Sequence, residues 1–276
     1  MKSFPAIHLI LSAVFAGAAQ AQIPATVTDT RMIFERQDGK PDTTIGHTVS
    51  SRLGTRAEHS GRFPSTVTPS FPSNIEIMSF ADSEMTMTFI DTTRKIYTVM
   101  QPSKLMGFAM GASGMKMESS DDVSTLDSLG AGPLINGHST LHFRTHNSSK
   151  MTMMIMGDTS RMTQSVTADL YLAPDINPGE YDAETVTASM HAVQGMMPTG
   201  MQSMISGAAK NQAVLAKHGM ALKTVIEMTQ TSAGGSKTQH QTIEIIGIQK
   251  TTVPASTFLP PTGYKKVGLM DFVQVP

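Results

Sequence analysis

Methionine is the residue type in this chain best placed to do chemistry. There are 23 of them in 276 residues, with no cysteine and no tryptophan. They fall in clusters: Met85/Met87, Met106/Met110, Met115/Met117, Met151/Met153/Met154/Met156 and Met190/Met196/Met197/Met201/Met204. A thioether is a soft ligand that selects Cu(I) in an oxidising compartment. It can also absorb oxidants, or simply fill irregular apolar space. On a strand, Met151 and Met153 share one face while Met154 and Met156 share the other, as expected of a sheet buried on both sides or lined by a ligand. Core filling or cavity lining is the favoured reading. Copper binding and redox buffering stand as alternatives.

Histidine supplies the next candidate. His138, His142 and His146 point to one face of an extended strand, beside Thr140 and Arg144. Neutral imidazoles can hold zinc or copper. Strand positions four apart, however, lie roughly 13 Å from each other at about 3.3 Å per residue, so consecutive members cannot share one ion. A helix would bring them together, but Thr140, Phe143 and Thr145 favour a strand. His47, His59, His191, His218 and His240 are isolated and read as surface or hydrogen-bonded side chains. No metal ligand set and no cofactor is expected.

Catalytic signatures are missing. The segment Phe108-Ala109-Met110-Gly111-Ala112-Ser113-Gly114 is not a nucleophile elbow, which needs Gly-x-Ser-x-Gly between a strand and a helix. There is no His-Glu-x-x-His, no phosphate-binding loop and no Gly-x-Gly-x-x-Gly after a strand. Asp121-Asp122 lies in a polar stretch, and Glu180, Asp182 and Glu184 sit at a helix start, where carboxylates complement the dipole. Asn147-Ser148-Ser149 matches a glycosylation acceptor, which matters only in a eukaryotic secretory pathway. The chain reads as a non-enzyme.

The elements that position these residues begin with an export signal. Lys2 precedes an apolar run over residues 7–19, and Ala19-Gln20-Ala21 gives the small-x-small cleavage pattern. Residues 1–21 are therefore read as a signal peptide, and residues 22–276 as one periplasmic or secreted domain. The run is too short for a membrane core, which takes about 20 apolar residues, so an integral membrane protein is not expected. Loss of Lys2 from the 21 basic residues leaves 20 against 22 acidic, a scattered net charge of about −2. That argues against nucleic acid as a partner.

Alternation over residues 26–36, turned by Gln37-Asp38-Gly39-Lys40, predicts a hairpin with a single return strand over 43–56. A loop over 63–73 follows, then a meander of strands over 74–80, 85–90 and 95–100. Residues 102–132 lose periodicity and read as a mobile crossing segment, with one short helix over 121–129. Strands return at 138–146, 151–156 and 162–172. Helix is confined to 182–218: a first arm over 183–193 and a second whose Met201, Met204, Ile205, Ala208, Gln212 and Leu215 are spaced i, i+3, i+4, i+7, stopped by Gly219. Two strands, 220–231 and 237–250, form what is read as the longest pair. About nine strands and a helical hairpin describe an α+β domain.

The closing segment, Val253-Pro254-Ala255-Ser256-Thr257-Phe258-Leu259-Pro260-Pro261-Thr262-Gly263-Tyr264-Lys265-Lys266-Val267, resembles that of an uncharacterised family of exported bacterial proteins. That family is similar in fold to the periplasmic lipoprotein carriers, the LolA/LolB-like superfamily. The strands over 223–231 and 242–249, and the passage from Thr88-Phe89-Ile90-Asp91 to Lys95-Ile96-Tyr97-Thr98-Val99, add to the likeness. The resemblance implies a curved antiparallel sheet, a half-open β-barrel, with helices across its concave face and an apolar cavity between. The chain departs from the carriers in the glycine- and methionine-rich stretch over 107–117. No counterpart of a carrier's lipoprotein-handling arginine can be placed.

The expectation is thus a non-catalytic exported binding module for a lipid-like or other apolar ligand, with Met201, Met204, Ile205, Ala208 and Leu215 as the ligand-binding residues. The alternatives are a Met-rich Cu(I)-binding or redox-buffering protein, and a structural module with a closed core that meets an envelope protein partner.

Overall fold

The structure is a computed structural model that describes residues 22–35, 40–60, 73–81, 84–101, 116–155, 158–176 and 202–273. The expected signal peptide over 1–21 and the expected first helical arm over 183–193 lie outside the described residues. Most of the described chain is strand, in one large curved sheet that does not close on itself, which fits a half-open barrel.

Twelve strands are described: β1 (Gln22–Glu35), β2 (Pro41–Ser51), β3 (Gly54–Ser60), β4 (Ile75–Ala81), β5 (Glu84–Asp91), β6 (Ile96–Met100), β7 (Lys116–Ala131), β8 (Leu141–Ile155), β9 (Asp158–Ala173), β10 (Met220–Ser232), β11 (Gly235–Pro254) and β12 (Lys265–Lys266). Their order across the sheet is β12-β6-β5-β4-β3-β2-β1-β11-β10-β9-β8-β7. Neighbours are antiparallel except β12, which pairs parallel to β6. The β1–β11 pairing joins two antiparallel halves. Among the described residues, no helix is long and apolar enough to cross a membrane.

Cross-strand register defines two faces. On what we term the helix face, Phe143, Leu170, Leu172 and Leu215 form a buried cluster edged by Leu126, Leu141, Ala168 and Ala221. Helix α1 (Gln202–Leu215) packs there, on β7 and β8. At the far end of the same face, Phe89, Met100 and Phe272 pack together beneath the short helix α2 (Leu269–Val273). On the opposite, open face, Ile23, Ala25, Val49, Ile75, Ile77 and Ile90 pack around Phe258.

The segment that carried the family resemblance clamps the β6 edge from both sides. A 3-10 turn, Ala255–Phe258, puts Phe258 into the open-face core. Lys265 N then donates to Lys95 O at 3.0 Å and Val267 N to Tyr97 O at 2.9 Å, covering the edge. Phe272, fully buried, closes the helix face, held by Arg94 Nη2 donating to its carbonyl at 2.7 Å. Asp91 fixes that arginine, accepting from Arg94 Nε at 2.6 Å and from the Thr93 and Arg94 amides at 2.9 Å. This is an Asx turn, the reason Asp91 starts the β5–β6 connection.

Several expectations are corrected. Residues 102–115 of the expected crossing segment lie outside the described residues; the short helix expected over 121–129 is not found, since residues 116–131 are the edge strand β7. Register shifts at Ser120/Val123 and Ser128/Gly130 break its alternation, so a period of two is invisible in its sequence. The single return strand over 43–56 is two strands, since the chain turns at Arg52-Leu53, where Ser51 Oγ accepts from Leu53 N at 3.1 Å. Residues 141–155 are one strand rather than two. The last pair, though it holds the longest strand, is not the longest ladder: β10 and β11 pair from Lys223 to Ser232, whereas β8 and β9 pair from Leu141 to Ile155. The helical hairpin across the concave face is not supported either. Of the expected helical region, the described residues form one helix of 14 residues, seated on β7 and β8 near one end of the sheet. It stops as expected, through a 3-10 turn to Gly219 at φ 98°, where a Cβ would lie 2.0 Å from the Ala173 carbonyl.

Candidate functional site

The docking of α1 is set by small and polar residues as much as by its apolar stripe. Gly207 lets the helix approach β7 so closely that a Cβ there would sit 2.5 Å from Ser124 Cβ. Asn211 Nδ2 donates to Ser124 Oγ and to the Thr125 carbonyl, both at 3.0 Å. Ser124 Oγ in turn donates to Asn147 Oδ1 on β8 at 2.6 Å. Of the expected ligand-binding residues, Leu215 is 3% exposed within the apolar cluster, and Ala208 is half-buried. Met201 lies outside the described residues, as do the side chains of Met204 and Ile205.

From that cluster a largely apolar band, interrupted by Gln241 between Ile226 and Phe34, runs on across the helix face. Ala168 on β9 lies opposite Ile226 on β10, and Leu170 opposite Thr224. Thr224 in turn faces Ile243 on β11, and Ile243 faces Met32 on β1. Ile226, Met228, Ile243, Ile245 and Phe34 on this face are half-buried, whereas Met32 is buried. Strands whose two faces are both apolar or threonine-rich produce such a band, because alternation puts every second residue there.

Two ionisable groups share this face: Glu76, which sequence reasoning did not single out, and His59, which it read as a surface or hydrogen-bonded side chain. Glu76 on β4 lies opposite Ala57 on β3, two positions from His59 on the same side. Burial pushes the Glu76 carboxyl above the usual range, against a hydrogen bond from Ser73 that lowers it. Burial likewise lowers the His59 imidazole. The alternation Ile75-Glu76-Ile77 places Glu76 on the side away from the isoleucines, which the sequence reads as solvent. Here Glu76 is half-buried instead.

The open face of the other half is polar. Asp169 on β9 accepts from Arg144 Nε and Nη2 at 2.9 and 3.0 Å and from His142 Nε2 at 2.7 Å. His142 stacks on Tyr171 at 4.6 Å between centroids. The Arg144 hydrogen bond, aided by His142, holds the Asp169 carboxyl below the usual range. Lys223, 2.9 Å from Glu244, and Arg31 do the same for Glu244. Arg144, Thr167, Asp169, Val225, Glu227 and His240 surround an open depression of ≈ 280 Å³. Carboxylates held ionised by direct cationic partners are poor proton donors near neutral pH. The depression is lined by these polar and charged groups, with His240 3.8 Å from Glu227.

The three histidines expected on one strand each have a partner of their own, and His138 lies before β8, in an isolated bridge with Ile135. His138 pairs with Asp175 at 2.7 Å, His142 with Asp169, and His146 with Thr167 Oγ1 at 3.1 Å. Among the described residues, no three His, Cys, Asp or Glu side chains are grouped to hold a metal ion.

No family model matches the chain, and no curated protein matches it. Solved structures similar to it include that of PNGF-II, at 11% identity and a TM-score of 0.32, over 91% of this chain and 32% of that one. The chain thus spans about a third of the length of PNGF-II. Another is an outer membrane lipoprotein-sorting protein domain from Vibrio parahaemolyticus, at 10% identity and a TM-score of 0.27, over 90% of this chain and 88% of that one. At these scores neither likeness carries an argument about what this chain does.

Proposed function

We propose that this chain is a non-catalytic binding module, exported to the periplasm or secreted, that holds a lipid-like or other apolar ligand on the helix face of its curved sheet. The observation that carries the reading is the apolar band. Ile226, Met228, Ile243, Ile245 and Phe34 continue the α1-covered cluster across three more strands yet stay half-exposed. A long, methionine-bearing apolar surface of this kind repacks around varied ligands. Leu215 belongs to the closed part of that cluster; the ligand would lie beyond it, over β10, β11 and β1.

Native mass spectrometry of protein purified without detergent, with solvent extraction of whatever is released, tests this. A bound acyl or isoprenoid mass that is lost in Ile243→Gln, while folding is kept, is the expected result. A clean apo mass, together with no uptake of a fluorescent fatty acid, overturns it. The second reading, a structural module with a closed core that meets an envelope protein, draws on the tight seat of α1 against Ser124. It predicts that apo outcome.

A further inference from the structure

We propose that Met78, Met87 and Met100 form a binding site for one soft monovalent metal ion, copper(I) being the biological ion of that class. In the β4–β5 register Met78 lies directly opposite Met87. In the β5–β6 register Met87 lies directly opposite Met100. Residues directly opposite each other project to the same face, so three thioethers stand in one row across three adjacent strands. Elsewhere among the described residues, register pairs methionines at most two at a time, as with Met151 and Met162.

The dimensions suit a shared ion. Strands lie about 4.8 Å apart, so the outer two backbones are separated by roughly 10 Å. Each sulfur stands three bonds out from its Cα on an unbranched side chain with freely chosen rotamers. Leaning the outer two inward would let all three sulfurs reach one ion, at a metal–sulfur bond of about 2.3 Å where zinc–thiolate bonds set the scale. The surroundings select the ion. Met100 is buried with Phe89 and Phe272, and Met87, Ile96, Val267 and Leu269 pack against them. Three neutral thioethers in such a pocket offer nothing to magnesium or calcium, which take oxygen ligands. They suit a soft cation of low charge, whose desolvation they offset through polarisable sulfur. Met78 and Met87 are half-buried, leaving an entry path from that end of the row. This site is separate from the apolar band and stands whether or not a lipid binds there.

The test is an anaerobic titration of the full chain with Ag(I), and with Cu(I) against a chromogenic Cu(I) chelator. One ion per chain bound at or below micromolar metal is expected, with a sulfur-only shell by X-ray absorption. Met87→Leu keeps the side-chain volume and should weaken binding at least about ten-fold, because it removes the central soft ligand. Met151→Leu should leave binding unchanged. In the wild-type protein labelled at its methionine methyls, the resonances of Met78, Met87 and Met100 should move together on adding Ag(I), a readout that needs no variant to fold. No binding at micromolar metal, equal affinity after Met78, Met87 and Met100 are all replaced by Leu, or shifts confined to other methionines would each overturn the proposal.

Discussion

Asn211 of α1 and Ser124 of β7 are joined by a 3.0 Å hydrogen bond in which the amide donates to the hydroxyl, one helical turn along from where Gly207 meets the same serine. The helix is thus attached to the edge strand by polar contacts flanking an apolar patch. Asn211→Ala removes this bond and the one to the Thr125 carbonyl, and should destabilise the fold by about 1–2 kcal/mol. Gly207→Val should do so by roughly 2 kcal/mol, since its added carbons must displace the helix from Ser124. Urea unfolding followed by far-ultraviolet circular dichroism measures both.

Two carboxylates titrate with opposite sign. The folded value of Asp169 lies below its unfolded value, so the stability it supplies is present above the unfolded value, about pH 4, and is lost as pH falls through the folded one. Asp169→Asn should therefore lower stability at neutral pH, with the difference from wild type shrinking in acid. Urea midpoints measured across the acid range check this; a pH-independent difference would contradict it.

Glu76 behaves in reverse. Its folded value is raised by burial, so its penalty is absent below the unfolded value, appears as pH rises through that value, and is complete above the folded one. Glu76→Gln is expected to stabilise the protein at neutral pH and to leave it unchanged in acid. The same series of urea midpoints, run beside wild type, reports it.

Phe272 is fully buried and lies 5.6 Å beneath the Arg94 guanidinium. Phe272→Ala should cost about 3–5 kcal/mol. It should also release the β6 edge, read as faster hydrogen exchange at the β5 and β6 amides while those of β8 and β9 keep their protection.

Much of the sheet was legible in the sequence because its period is local. The alternation in β1, the meander of β4, β5 and β6, and the Gly219 stop all follow from neighbours a few residues apart. The edge strand β7 was not, because its two register shifts interrupt the period and its polar residues resemble a loop. Ser149, between the two strands expected there, is 2% exposed within β8. The site was less legible still. Leu215 was read from helical spacing and is indeed buried, but the band from Ile226 to Met32 and the row Met78, Met87, Met100 exist only once register is known. Arg31 and Glu244, which pair across the central seam, are 213 residues apart in sequence, and no local pattern announces such a partner.

That seam has a kinetic side. Strand β1 can zip onto β2 as soon as both exist, but its other edge waits for residues 241–254. Until then the half made of β1 to β6 carries a bare edge of 14 residues rich in threonine and aliphatic side chains, a template to which any other chain can add a strand. Closing so distant a pair is slow. Dilution should therefore favour the native chain over aggregates during refolding.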